Sequence, residues 1–163
     1  MRGFSTLDNP NHKGATDIWL TPLHIIKKLG EYDLDPCGHP KHYTAKELFC
    51  ETDRDGLVEK WHGRVWLNPP YSEVGRWLDM LAEHGHGTAL VFARTDTKWA
   101  QRHFKLANQV FFLKGRIKFL NERFEESTNA GHGSMFLNYG DEINFNNLEG
   151  WLAKGKPTDA EER

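Results

Sequence analysis

An α/β domain on a mostly parallel sheet is the fold class this sequence predicts, and three observations carry the prediction. Short apolar segments at Tyr32–Asp35, Leu48–Cys50, Arg64–Leu67 and Thr88–Ala93 alternate with stretches of helical spacing. Two of these segments run into prolines that cannot continue a strand, Pro36 after Asp35 and Pro69-Pro70 after Asn68. The closing segments, Gln109–Leu113 and Met135–Tyr139, follow one another without a helix between them, which predicts an antiparallel edge on the parallel sheet.

The elements follow in order. Thr21-Pro22 starts a helix, with proline in the first turn, and Leu23, Ile25, Ile26 and Leu29 form an apolar stripe that ends at Gly30. Glu73–His84 carries Val74, Trp77, Leu78 and Leu81 at helical spacing, and Gly85–Gly87 breaks it. Thr95–Leu106 reads as another helix, and Arg116–Leu120 as a further strand before a loop rich in Gly, Asn, Glu and Ser. Residues 1–155 are expected to form one domain, and the polar tail 156–163 to fray.

Whole-chain properties bound the function. A chain of 163 residues buries roughly two-thirds of its unfolded surface and needs no covalent staples. No apolar run approaches the roughly twenty residues that span a bilayer, and MRGFSTLDNPNHKG lacks a secretory core, so a cytoplasmic location without membrane contact is expected. Cys37 and Cys50 read as packed thiols. The histidines of HPKH and HGH have no cysteines beside them, and no metal site is expected. Net charge is −2, but it is unevenly spread: Arg94–Phe124 holds eight basic residues against two acids, whereas 125–163 holds three against eight. Such a basic segment fits a face aimed at phosphates, and Arg94, Lys98, Arg116 and Lys118 lie within it.

The chemistry concentrates at Asn68-Pro69-Pro70-Tyr71, directly after a strand. The exocyclic amine of adenine is a poor nucleophile because its lone pair is delocalised into the ring. Two acceptors set against its N–H bonds, the Asn68 side-chain carbonyl and the Pro69 backbone carbonyl, would draw the nitrogen toward tetrahedral geometry. Pro69 and Pro70 stiffen the loop and contribute no N–H that would occupy those acceptors. Tyr71 offers a flat face for a base flipped out of the duplex. No general base is required at the outset, because the proton can leave after attack.

On the cofactor side, Asp33 and Asp35 of DLDPCG stand where an acid can meet ammonium or hydroxyl groups, and Pro36 ends the strand. No Gly-x-Gly-x-x-Gly follows, so a dinucleotide cradle is not supported. Asp53 and Asp55 lie some twenty residues on, and either could offer a carboxylate to a ribose.

The ordered motifs Trp19-Leu20-Thr21-Pro22, Asp33–Cys37, Asp55-Gly56-Leu57, Val65–Ser72, Arg94–Thr97, Gly115–Phe119 and Gly133-Ser134-Met135 resemble the phage-type DNA adenine-N6 methyltransferases. This is the Dam family of compact phage and prophage enzymes, and the resemblance covers roughly residues 17–139. It implies a Rossmann-like methyltransferase fold, S-adenosylmethionine as methyl donor, and adenine in DNA as acceptor, as in site-specific adenine methyltransferases. By that resemblance Asn68, Pro69, Pro70 and Tyr71 form the catalytic motif. Trp19, Thr21 and Pro22 belong to the cofactor side, with Thr21 on the cofactor's carboxylate and Asp35 near its methionine end. Arg94, Asp96, Arg116 and Ser134 match family motifs, and Ser134 joins the expected DNA contacts.

The first cofactor motif lacks the glycines usual in methyltransferases at large, a reduction that compact phage members share. The chain has no room for a separate target-recognition domain, so target reading is assigned to loops within 94–134 or to a second subunit, the protein being a monomer or a homodimer. Two rival readings stand beside this one. The same motif could serve RNA or a protein glutamine, whose acceptor geometry is similar, or the chain could be a non-catalytic DNA-binding anti-restriction protein that kept the fold.

Overall fold

The computed structural model describes residues 18–127 and 130–155. Seven strands form one sheet: β1 (Leu34–Asp35), β2 (Glu47–Leu48), β3 (Val65–Leu67), β4 (Gly87–Phe92), β5 (Gln109–Leu113), β6 (Ser134–Tyr139) and β7 (Gly150–Lys154). Their order across the sheet is β2-β1-β3-β4-β6-β5-β7. The pairs among β1 to β4 are parallel, and those linking β4, β6, β5 and β7 are antiparallel.

The expected α/β architecture is present, and the antiparallel part is wider than an edge. Strand β7 supplies the extra width and has no strong signature in the sequence, because it is a largely exposed border strand without clear alternation. Arg116–Leu120, expected as a strand, is not one. Gly115 turns the chain at φ 73°, Ile117 and Phe119 are buried, and Leu120 makes only isolated bridges to Leu20 and Glu126. Burial rather than pairing explains its apolar pattern.

Period-two alternation sends neighbouring strand residues to opposite faces. Val65 and Leu67 of β3, Ala89 and Val91 of β4, and Met135 and Leu137 of β6 face one core, together with Leu78 and Leu81 of α2 (Val74–His84) and Ala100 of α3 (Lys98–Leu106). Trp66, Leu90 and Phe136 face the other core, with Ile25 and Ile26 of α1 (Leu23–Lys27) and Ile117 and Phe119. Helix α2 ends at Gly85 in the left-handed conformation at φ 79°, its N–H bonded to the Leu81 carbonyl. Thr97 caps α3 by accepting from the Ala100 N–H at 3.3 Å. No described helix is long and apolar enough to cross a membrane. The tail expectation concerns 156–163, which lie outside the described residues.

One feature of this topology places the site. From β1 the chain moves outward to β2, then returns to the other side of β1 as β3. Strand order therefore reverses between β1 and β3, and the crevice beyond their carboxyl ends is where α/β sheets hold ligands.

Candidate active site

Asn68 is the first residue beyond β3, half-buried where Val65, Trp66 and Leu67 are fully buried. Its side-chain nitrogen donates to the Trp19 carbonyl at 2.5 Å and to Thr21 Oγ1 at 3.3 Å. The Trp19 carbonyl can only accept, which decides which end of the amide is nitrogen. The Asn68 oxygen is thereby turned away from the Trp19–Thr21 wall as an acceptor for an outside donor. Pro69 is buried, and Pro70 precedes the single 3-10 turn Tyr71–Glu73 in extended conformation, φ −63° and ψ 142°. Among the described residues no hydrogen bond reaches the Pro69 carbonyl, whereas that of Pro70 accepts from Glu73 at 3.3 Å.

Tyr71 is anchored to the end of β4. Its hydroxyl oxygen accepts from the Phe92 N–H at 2.7 Å, and its ring stacks on the Phe92 ring with centroids 4.6 Å apart. Burial raises the Tyr71 pKa, so the phenol stays protonated. Trp19 and Phe119 meet Phe92 edge-on at 6.0 and 5.9 Å, closing an aromatic wall behind the tyrosine.

Thr21, which the resemblance put on the cofactor's carboxylate, and His42, which the sequence did not single out, stand behind the Asn68 amide. Thr21, 1% exposed, holds Asn68 on its hydroxyl, while its carbonyl accepts from His42 Nε2 at 2.7 Å. Burial lowers the His42 pKa, which favours a neutral ring with its proton on Nε2. The spacing between residues 21, 42 and 68 carries no motif, so only the fold reveals this chain of contacts. Pro22 precedes α1 at its N-terminus.

Asp35 closes β1 and is 3% exposed. One oxygen accepts from the Cys37 N–H at 3.0 Å and the other from the Thr44 hydroxyl. Burial pushes its carboxyl up to about 6, against the smaller opposing effect of those two hydrogen bonds. Asp33 stands at the other end of the strand: its carboxylate accepts from the Arg64 N–H at 2.8 Å and pairs with Lys46 at 3.5 Å. Those bonds tie the starts of β1 and β3 together and occupy the Asp33 carboxylate there.

Asp53 and Asp55 both cap their own turns, accepting from Cys50 N–H at 3.3 Å and Leu57 N–H at 2.9 Å. Gly56 explains the motif between them. A Cβ there would lie 1.8 Å from the Pro36 carbonyl oxygen, so glycine alone lets this turn press against the end of β1. Glu51, three residues beyond β2, also reaches this region: burial chiefly raises the Cys37 pKa, and the charges of Asp35 and Glu51 add to it. The sequence signal for it, an acid just past a strand, was there to be read.

Arg94 and Arg116 gather around His132. The Arg94 charge acts on Tyr71 and His132, Arg116 acts on His132, and the His132 ring lies 5.7 Å from Phe92. Arg116 also donates to the Ala130 carbonyl at 2.9 Å. Lys98 is exposed at the start of α3, and exposed Lys118 pairs with Glu126 at 3.7 Å. Ser134, expected among the DNA contacts, is the first residue of β6, paired opposite Phe92 and 2% exposed.

A protein of Escherichia phage T1 named as a DNA N-6-adenine-methyltransferase is 25% identical to this chain over 112 residues, covering 62% of this chain and 46% of that protein. The chain thus spans about half the length of the curated relative it matches. No solved structure gives a significant match. The family model described as DNA N-6-adenine-methyltransferase (Dam) matches residues 9–143. A match over most of the sequence, with the Asn68–Tyr71 motif inside it, makes this chain a member of the Dam DNA N-6-adenine-methyltransferase family.

Proposed function

We propose that the protein is an S-adenosylmethionine-dependent methyltransferase of Rossmann-like fold that methylates the N6 amine of adenine in DNA. The observation that carries this reading is the Asn68 amide, whose nitrogen is committed to Trp19 and Thr21 and whose oxygen is left to accept. Together with the Pro69 carbonyl it forms two fixed acceptors for the two N–H bonds of an exocyclic amine, oriented before substrate arrives. The lone pair is then released from conjugation with the ring, and the nitrogen gives up its proton to water after attack.

The residues at the strand ends fit the cofactor. Asp35 is a buried acid with no cation beside it among the described residues, and the ammonium of a methionine moiety would supply one. Pro36 and Gly56 bring the 53–57 turn against that end, where Asp53, Asp55 or Glu51 would meet ribose hydroxyls. When bound, S-adenosylmethionine supplies an electrophilic methyl on its sulfonium. Tyr71, with one face on Phe92, keeps the opposite face for a flipped base, and Arg94, Lys98, Arg116 and Lys118 are assigned to phosphates.

The test is incubation with labelled cofactor and unmethylated DNA, with RNA and protein as parallel substrates, followed by digestion and identification of the labelled product. N6-methyladenine from DNA is expected. Asn68→Ala is expected to lose about 10²–10³-fold in rate while keeping cofactor and DNA affinity. Label in RNA or protein alone, or an Asn68→Ala rate equal to wild type, overturns the reading.

A further inference from the structure

Outside the Asn68 site, a groove of about 900 Å³ opens between α1 and the 116–126 segment. Lys28, Lys41, Arg116 and Lys118 line it against a single acid, Glu126, which is already paired with Lys118. Its floor is apolar. A cationic rim over an apolar floor matches a polyanion that also carries flat, weakly polar faces.

Phe124 stands at this groove, 39% exposed and at φ 60°, a left-handed conformation that a bulky residue adopts only when its surroundings impose it. Asn121 imposes it: its side-chain oxygen accepts from the N–H groups of Arg123 and Glu125, and its carbonyl accepts from Phe124. The ring is propped on His42 and His39 at 6.0 and 5.8 Å. Strain retained to display an aromatic ring beside cations is an outlier that calls for a function.

The groove and the catalytic motif share a wall. Leu20 exchanges two backbone hydrogen bonds with Leu120, at 2.9 and 2.8 Å, and the next residue, Thr21, holds the Asn68 amide. His42, under Phe124, bonds the Thr21 carbonyl. Arg116 belongs to both regions through its effect on His132.

We infer that this groove holds the DNA strand flanking the target adenine, with phosphates on Lys28, Lys41 and Arg116 and a base stacked on Phe124. The inference rests on the DNA methyltransferase reading and adds the path of the strand and a stacking residue.

The experiment compares wild type with K28Q/K41Q, F124A and F124W, measuring affinity for a fluorescent DNA duplex across salt concentrations, with cofactor affinity and thermal midpoint as folding controls. For K28Q/K41Q, weaker binding at every sequence is expected, with the log–log salt slope reduced by about 2. F124A is expected to lose about tenfold in DNA affinity or more with little change in slope, and F124W to restore it. A base analogue beside the target, quenched by wild type and F124W, is expected to stay bright with F124A. Folded variants that bind and methylate DNA as wild type does overturn the groove while leaving the methyltransferase reading intact. Wild type that neither binds nor methylates DNA overturns both, and equal loss of heparin and DNA binding in F124A overturns the stacking role.

Discussion

Tyr71 and Phe92 are joined twice, by a 2.7 Å hydrogen bond from the Phe92 N–H to the phenol and by ring stacking at 4.6 Å. The hydroxyl fixes the ring's rotation and the stack fixes its plane. The loop after β3 is thus locked to the neighbouring strand β4.

Separating these two contacts gives the first prediction. Tyr71→Phe keeps the flat face but strands the Phe92 N–H, and is expected to cost about 1–2 kcal/mol of stability with a modest fall in rate. Tyr71→Ala removes the platform, and DNA affinity should fall by the equivalent of about 1–3 kcal/mol for one stacked base. Denaturant melts and DNA titrations separate the effects, and an alanine variant with undiminished DNA affinity would remove Tyr71 from base capture.

Asp35 gives a pH dependence of defined sign. Its folded pKa, about 6, stands above the ordinary carboxylate value of 3.8, so the stability it contributes is fully present below 3.8 and lost as pH rises through 6. Asp35→Asn is therefore expected to be more stable than wild type at pH 7–8 by about 1–3 kcal/mol, the difference vanishing in acid. Cofactor affinity should move the other way. Wild type is expected to bind S-adenosylmethionine more tightly as pH rises through about 6, because the ionised acid meets an ammonium, and Asp35→Asn to bind weakly without that rise. Calorimetric titration between pH 5 and 8 checks it, with wild type and variant following the same pH curve as the contrary result.

Gly56 tests the packing behind the cofactor side. In Gly56→Ala the new Cβ would meet the Pro36 carbonyl oxygen at 1.8 Å and Trp77 Cη2 at 3.0 Å, and the nearer neighbour is backbone that cannot rotate aside. The turn must lift from the end of β1, at about 1–3 kcal/mol. Both a lower thermal midpoint and weaker cofactor binding are expected; normal cofactor affinity would detach the 53–57 turn from the site.

Much of this architecture was legible along the chain. Asn68 could be placed at a strand end because two prolines follow an apolar run, and α2 because four apolar residues keep one face between a turn and glycines. Arg116–Leu120 misled because burial of Ile117 and Phe119 in a loop produces the same alternation as a strand. Ser134 was singled out by a motif match, and a motif match gives no sign of burial: the residue is 2% exposed in a strand covered on both faces.

What the sequence determined by itself is local and chemical: the period-two and helical patterns, the proline stops, and an Asn-Pro-Pro-Tyr motif whose atoms suit an amine. Tertiary structure alone decided which end of the Asn68 amide faces outward, that Asp35 is buried at the close of β1 while Asp33 straps its start, and that Phe124 stands beside a cationic groove. The reason is physical. Patterns report each residue's preference for water or for a neighbour a few positions away, whereas these outcomes depend on hydrogen bonds and burial between segments tens of residues apart, which exist only once the chain has closed on itself.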